Sequence, residues 1–258
     1  MRKVVVDIGG TKTLISLMDD GRIVRLMKYT TPRERDELLR ILSDSFQYTD
    51  VTDRLNVAIA GRYDGNRVLI SPNIPLSGFR LGRFFSPFGR VSIENDTVCA
   101  AHNLLRKNVK NSLLINWGTG IGGAIIIDGK VYRGSGMAGE IGHLRLIEGD
   151  WEDRIGGKAF KKRFGMEGEI LQKNALMGDR KAIEALERVG SEFGEFIVSM
   201  VYLLDPENIY IYGGVIKSWN FMRKSIKNKM DEFSIKKRLI VVRDRYFTLR
   251  GCYYLDEF

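Results

Sequence analysis

The chain has 258 residues, 44% hydrophobic and 28% charged, with 28 glycines against 5 prolines. That is enough apolar material for one large domain or two lobes with real cores. No apolar run is long enough to cross a bilayer, and Met1-Arg-Lys-Val-Val-Val-Asp7 meets a charge too soon for a signal peptide, so a cytoplasmic location is expected. The net charge of +9 is compatible with nucleic acid, a membrane surface or a phosphorylated small ligand. The basic residues are scattered, however, and the clusters Lys161-Lys162-Arg163 and Lys236-Lys237-Arg238 read as solvated faces. No nucleic-acid or membrane partner is expected. Cys99 and Cys252 stand far apart in apolar surroundings and read as small buried hydrophobes in a reducing compartment.

In chain order, Val4-Val-Val6 is an apolar run ending in Asp7-Ile-Gly-Gly-Thr-Lys12. Thr13 to Met18 is a second run, Asp19-Asp-Gly21 a hairpin turn and Arg22 to Met27 a third run, which predicts an antiparallel meander. The spacing of Leu38, Leu42 and Phe46 predicts a helix over 33–46. Strands follow at 55–60, 68–70 and 90–93, with a loop at 71–78. Glu94-Asn95-Asp96 marks a strand-to-helix junction, with the helix running through Leu105. The opening pattern then recurs. Ser112 to Trp117 is a strand, Gly118-Thr-Gly-Ile-Gly-Gly123 a bend, Ala124 to Ile127 a strand, Asp128-Gly129 a turn and Lys130 to Tyr132 a third strand. An internal repeat of this kind points to two related lobes, each with a glycine bend whose backbone N–H groups attract anions. Short helices are expected at 156–164 and 167–176, and a long one at 179–204. A strand at 208–212 stops at Gly213-Gly214, and a helix at 215–233, a strand at 239–242 and a last helix at 247–255 complete the chain.

Gly118, Gly120 and Gly123 match the spacing of a dinucleotide fingerprint, with Glu140 near the place of its ribose acid. That motif must open a helix, and here β-branched residues and an Asp-Gly turn follow, so a hairpin is expected. Asp96 has two readings: a general base mounted at a helix start, or a helix N-cap.

Asp7-Ile-Gly-Gly-Thr-Lys12, Glu94-Asn-Asp96 followed by Ala100-Ala101, Gly118-Thr-Gly120, Gly139-Glu-Ile-Gly-His143 and Gly213-Gly214 occur in the order found in one family. The chain resembles the ROK family of sugar kinases and repressors, within the actin/hexokinase/Hsp70 superfamily. The resemblance spans nearly the whole chain. It implies an α/β, two-lobed ribonuclease-H-like (actin-like ATPase) fold with the active site in the cleft between lobes. The N-terminal lobe would take residues 1–110, with 245–258 returning to it, and the C-terminal lobe 111–244.

The resemblance further implies ATP- and Mg²⁺-dependent phosphorylation of a hexose hydroxyl by a homodimer. By motif, Asp96 looks like the catalytic base and Asp7 like the residue that organises Mg²⁺ and its waters. Gly9, Gly10, Thr11 and Lys12 look like the first phosphate loop, Gly118, Thr119 and Gly120 like the second, and Gly213 and Gly214 like the adenosine approach. Asn95, Gly61, Glu140 and His143 look like sugar contacts. Glu152 resembles a sugar-binding glutamate of the family, against the alternative of a surface charge.

Departures from the family pattern are specific. Many members carry a cysteine-rich zinc motif after the Gly-His element, but Leu144 to Phe164 contains no cysteine, so no structural zinc is expected. Ala60-Gly61-Arg62 stands where the family has a Pro-Gly element. The acceptor stays open among glucose, N-acetylmannosamine, N-acetylglucosamine, fructose and a sugar acid such as 2-keto-3-deoxygluconate. Two rivals come from other classes. A catalytically idle sugar- or nucleotide-binding protein is one. The other is a repressor, for which no helix-turn-helix segment precedes Asp7.

Overall fold

Val4, Val5 and Val6 are all fully buried in the computed structural model, because β1 (Arg2–Ile8) lies inside a sheet covered on both faces. The structure describes residues 1–48 and 52–257. The chain divides into two units, Met1–Val109 with Tyr246–Phe258, and Lys110–Arg245. Phe258, which ends the expected returning segment, lies outside the described residues.

In the first unit β1, β2 (Lys12–Asp19) and β3 (Arg22–Thr30) form the antiparallel meander. Its turn is Asp20-Gly21, both at positive φ, as a two-residue hairpin of this hand requires. Helix α1 (Arg35–Ser43) is shorter than the periodicity predicts, because the chain tightens into a 3-10 turn at Asp44–Tyr48. Then come β4 (Arg54–Ile59), a small hairpin of β5 (Arg62–Tyr63) and β6 (Val68–Ile70), helix α2 (Leu81–Phe85), β7 (Arg90–Asn95) and α3 (Asp96–Leu105). The sheet order is β3-β2-β1-β4-β7, with β1, β4 and β7 parallel.

The second unit repeats this plan. β8 (Ser112–Trp117), β9 (Ile121–Ile127) and β10 (Lys130–Tyr132) form a second meander. It turns on Asp128-Gly129, again both at positive φ. The glycine-spaced bend between β8 and β9 is therefore a hairpin and not the opening of a helix. Helices α4 (Trp151–Ile155), α5 (Ala159–Phe164), α6 (Gly168–Leu176) and α7 (Arg180–Leu204) lead to β11 (Asn208–Tyr212), α8 (Trp219–Glu232) and β12 (Arg238–Val241). The order β10-β9-β8-β11-β12 matches the first sheet strand for strand.

Helix α7 starts where Asp179 caps the Lys181 and Ala182 amides and ends where Asp205 turns left-handed before Pro206. Its Phe193 stacks on Trp117 of β8 at 3.8 Å. The basic cluster at 161–163 is not wholly a solvated face. Arg163 is mostly covered and holds Glu192 of α7 through two hydrogen bonds of 2.7 and 2.8 Å.

The last helix, α9 (Phe247–Tyr253), packs in the first unit, where Leu249 and Cys252 are fully buried with Val5, Ala58 and Cys99. The chain beyond it is tied down at the N-terminal ends of β1 and β4. Lys3, fully buried, donates to the Tyr253 carbonyl at 2.9 Å and to Asp256 at 2.5 Å. Asn56 and Arg54 also donate to Asp256, at 3.0 and 2.7 Å. Among the described residues no helix is long and apolar enough to cross a membrane.

Candidate active-site residues in the two units

In the first unit the three parallel strands end level, with Ile8 beside Ile59 and Ile59 beside Asn95. Their C-terminal bends therefore sit side by side, the usual place for ligands on a parallel sheet. After β1 the chain bends through Gly9, Gly10 and Thr11, and the Gly9 amide donates to the Lys12 carbonyl at 3.0 Å. Thr31 braces this bend: its hydroxyl donates to the Gly9 carbonyl at 2.6 Å and its amide to the Thr11 carbonyl at 3.1 Å. Gly10 has no room for a side chain, since a Cβ there would lie 2.6 Å from the Cβ of Asn73. Thr11 and Lys12 are exposed.

After β7, Asn95 is the helix cap. Its Oδ1 accepts from the Thr97 and Val98 amides at 2.9 and 3.2 Å, and its Nδ2 donates to the Gly61 carbonyl at 3.2 Å. Asn95 thus joins the bend after β4 to the bend after β7. Asp96 is the first helical residue rather than the cap, which removes one of its two sequence readings. Its Oδ1 accepts from the Thr97 amide at 2.7 Å and from the Thr97 hydroxyl at 3.2 Å. A carboxylate so held at the start of a helix is fixed in orientation.

Asp7 and Asp96 lie close enough to repel. Burial first, and the Asp96 charge second, push the Asp7 carboxyl up to about 8. Two neighbouring carboxylates beside a glycine bend fit a hard divalent cation. Among the described residues no group of three or more His, Cys, Asp or Glu side chains could hold a metal. A cation here would therefore draw its remaining ligands from water and phosphate, the usual habit of Mg²⁺.

In the second unit the bend Gly118-Thr119-Gly120 is closed by a hydrogen bond from the Gly118 amide to the Gly120 carbonyl at 3.0 Å. The Gly118 and Thr119 carbonyls accept from the Gly157 and Lys158 amides, each at 2.9 Å. Behind the bend lies Glu152. It is 8% exposed, so it is no surface charge. One carboxylate oxygen accepts from the Ile121 amide at 2.9 Å and the other is paired with Lys158. A Cβ on Gly120 would lie 2.1 Å from that carboxylate. Glu152 therefore supports the glycine bend, whatever else it touches. Gly213, at φ +115, passes so close to β8 that a Cβ would lie 2.4 Å from the Trp117 carbonyl, while Gly214 faces open space.

Glu140 and His143 flank a 3-10 turn at Ile141–His143 that rides on the start of β9, with Gly142 against the Ile121 carbonyl. The half-exposed His143 holds Asp150 through Nδ1 at 3.0 Å. That hydrogen bond is the main cause of its raised pKa. Burial opposes ionisation of Asp150, but the bonds from His143 and from the Asp153 amide keep its carboxyl below the usual range. Asp150 also caps α4.

Sequence reasoning missed four supporting residues: Thr31, Asn73, Asp150 and Lys158. Only Asp150 carries a local signal, an acidic residue ahead of a short helix with Asp153 three positions on.

Comparison with known proteins agrees on one family. The model of the ROK family matches residues 3–243. The N-acetylmannosamine kinase of Escherichia coli O6:H1 (strain CFT073) is 30% identical over 259 residues, covering 88% of this chain and 88% of that protein. The glucokinase of Streptomyces coelicolor is 27% identical, covering 81% of each. Among solved structures, a ROK family glucokinase from Streptomyces griseus in complex with glucose and AMPPNP superposes with a TM-score of 0.85 at 24% identity, over 98% of each chain. The fold is the two-lobed α/β fold of the actin-like ATPases. On the matched length, the ordered motifs and the fold, this chain belongs to the ROK family.

Proposed function

We propose that this sugar kinase of the ROK family transfers the γ-phosphoryl group of ATP to a hydroxyl of a hexose or hexose derivative, with Asp96 as general base. The observation that carries the reading is the gathering of three parallel-strand ends around Asp96, with Asp7 alongside. Phosphoryl transfer asks for positioning and charge neutralisation more than for covalent chemistry. Asp96, held by Thr97, accepts the proton of the attacking hydroxyl. Asn95 has already accepted two hydrogen bonds and donated one, so its remaining Nδ2–H is the group it offers to a sugar oxygen.

Gly61 has no room for a side chain, since a Cβ there would lie 2.7 Å from the Ile70 carbonyl, and it offers the acceptor its backbone beside Asn95. Glu140 and His143 contribute further polar contacts, and His143 presents Nε2 because Nδ1 is engaged by Asp150. Glu152, carried over as a sugar contact, also fixes the second bend, which holds phosphate. The bends Gly9-Gly10-Thr11-Lys12 and Gly118-Thr119-Gly120 hold the phosphates, and Gly213-Gly214 admits the adenosine. Mg²⁺, when bound, supplies neutralising charge between the phosphates, and Asp7 would hold it through water. The enzyme works as a cytoplasmic homodimer.

The test is ADP release with ATP and Mg²⁺ against glucose, N-acetylmannosamine, N-acetylglucosamine, fructose and 2-keto-3-deoxygluconate. Turnover that depends on one of them supports the kinase and names its acceptor. Binding of sugar or ATP without turnover on any of them favours the idle-binding protein instead.

A further inference from the structure

The chain's two cysteines, remote in sequence, meet in the fold. Cys99 lies on α3, one turn beyond Asp96, and Cys252 lies on α9. Both are fully buried in one cluster with Val5, Met18, Ala58 and Leu249. Burial first, and the neighbouring Cys252 thiol second, push the Cys99 thiol well up. The helices that carry them are in backbone contact at this point. A Cβ on Gly251 would lie 2.1 Å from the Cys99 carbonyl oxygen and 2.8 Å from the Cα of Ala100. A disulfide asks for a Cα separation of about 4.4–6.8 Å, the scale on which helices in backbone contact approach. The Cys99 thiol also donates, at 3.9 Å, to the carbonyl of Glu94, just ahead of Asn95 and Asp96.

We propose that Cys99 and Cys252 are a redox modification site, at which two-electron oxidation forms a disulfide that staples the C-terminal helix to the helix bearing Asp96. With a peroxide as oxidant, one thiolate attacks the peroxide oxygen. The O–O bond breaks, a sulfenic acid forms and, with the thiol's proton, one water leaves. The second thiol then attacks the sulfenic sulfur, the S–S bond forms and the hydroxyl departs as a second water. Two S–H bonds are lost and one peroxide is reduced to two waters. Burial disfavours the thiolate while α9 is docked, so the pair reacts when α9 lifts and the disulfide then holds it down. The closed loop is long, so the staple removes much freedom from the unfolded chain.

The test is treatment of the full chain with hydrogen peroxide in sub-denaturing urea, followed by removal of both reagents. The expected product is a single chain lighter by about 2 Da, with a Cys99–Cys252 cross-linked peptide on non-reducing digestion. Its Tm should stand at least about 5 °C above that of the reduced chain, and dithiothreitol should reverse the gain. Cys252→Ser should show neither the cross-link nor the gain. The proposal is overturned if both thiols of the treated native chain alkylate on denaturation, if cross-links join two chains, or if the Tm of the cross-linked chain is unchanged or lower. Peptide mapping of the native protein decides the matter even if the variant does not fold.

Discussion

Replacing Asp7 with asparagine should stabilise the ligand-free protein at alkaline pH while removing activity. The carboxyl is pushed up to about 8 by burial and by Asp96. In the unfolded chain it returns to about 3.9. Between those values the folded protein keeps a proton that the unfolded chain has lost, so this group's contribution to stability falls as pH rises. It is complete below the unfolded value and gone above the folded one. The slope is about 1.4 kcal/mol per pH unit. Between about pH 5.5 and pH 8 the native protein should lose up to about 3 kcal/mol relative to Asp7→Asn, whose amide does not titrate. The assay is urea unfolding of both proteins at the two pH values, without nucleotide or Mg²⁺. The optical probe matters, because Trp117, Trp151 and Trp219 all lie in the second unit while Asp7 lies in the first. Far-UV circular dichroism or hydrogen exchange of β1 reports on the relevant unit. A difference between the two proteins that is the same at both pH values, or that shrinks as pH rises, would refute the reasoning.

Other expectations follow from the same contacts. Asp256→Ala leaves the buried Lys3 with only its longer contact to Glu257 and the Tyr253 carbonyl, and thermal unfolding should show a loss of about 3 kcal/mol, partly restored by adding Lys3→Met. Burial resists ionisation of Asp256, yet the bonds from Lys3, Asn56 and Arg54 hold it at about 2. Its contribution is therefore present above the usual carboxylate range and lost as pH falls through about 2, which acid unfolding of native and variant proteins should resolve. Asn95→Ala removes a cap and the tie to Gly61, and should cost about 1–2 kcal/mol in the same thermal assay. His143 is held above its ordinary range by Asp150, so their contact stabilises below that range and fades as pH rises through the elevated value. NMR titration of Asp150→Asn should show the His143 midpoint move down.

The duplicated plan was legible because its signals are local. Val4-Val-Val6 and Leu113-Leu-Ile115 each precede a glycine bend, and Asp20-Gly21 and Asp128-Gly129 each supply two residues that accept positive φ. The candidate base was legible for the same reason, since Glu94-Asn-Asp96 stands at a strand-to-helix junction. What stayed hidden depends on long-range contacts. Helices α2 and α4 have five residues each, too short to show a period, and are held by the tertiary burial of Leu81, Phe85 and Trp151. Glu152 stays open between a sugar contact and a surface charge until the Ile121 amide and Lys158 are brought to it. Arg163 reads as part of a solvated cluster until Glu192 arrives from α7. Nothing local joins Cys99 to Cys252, because the α3–α9 contact exists only in the folded first unit.

The most direct test of the central claim is the turnover of Asp96→Asn on the accepted sugar, measured beside calorimetric binding of sugar and nucleotide. The account predicts that both ligands still bind while kcat falls by roughly 10²–10⁴-fold, the usual worth of a positioned base. A variant that keeps more than about a tenth of native kcat would contradict the assignment of Asp96 as general base.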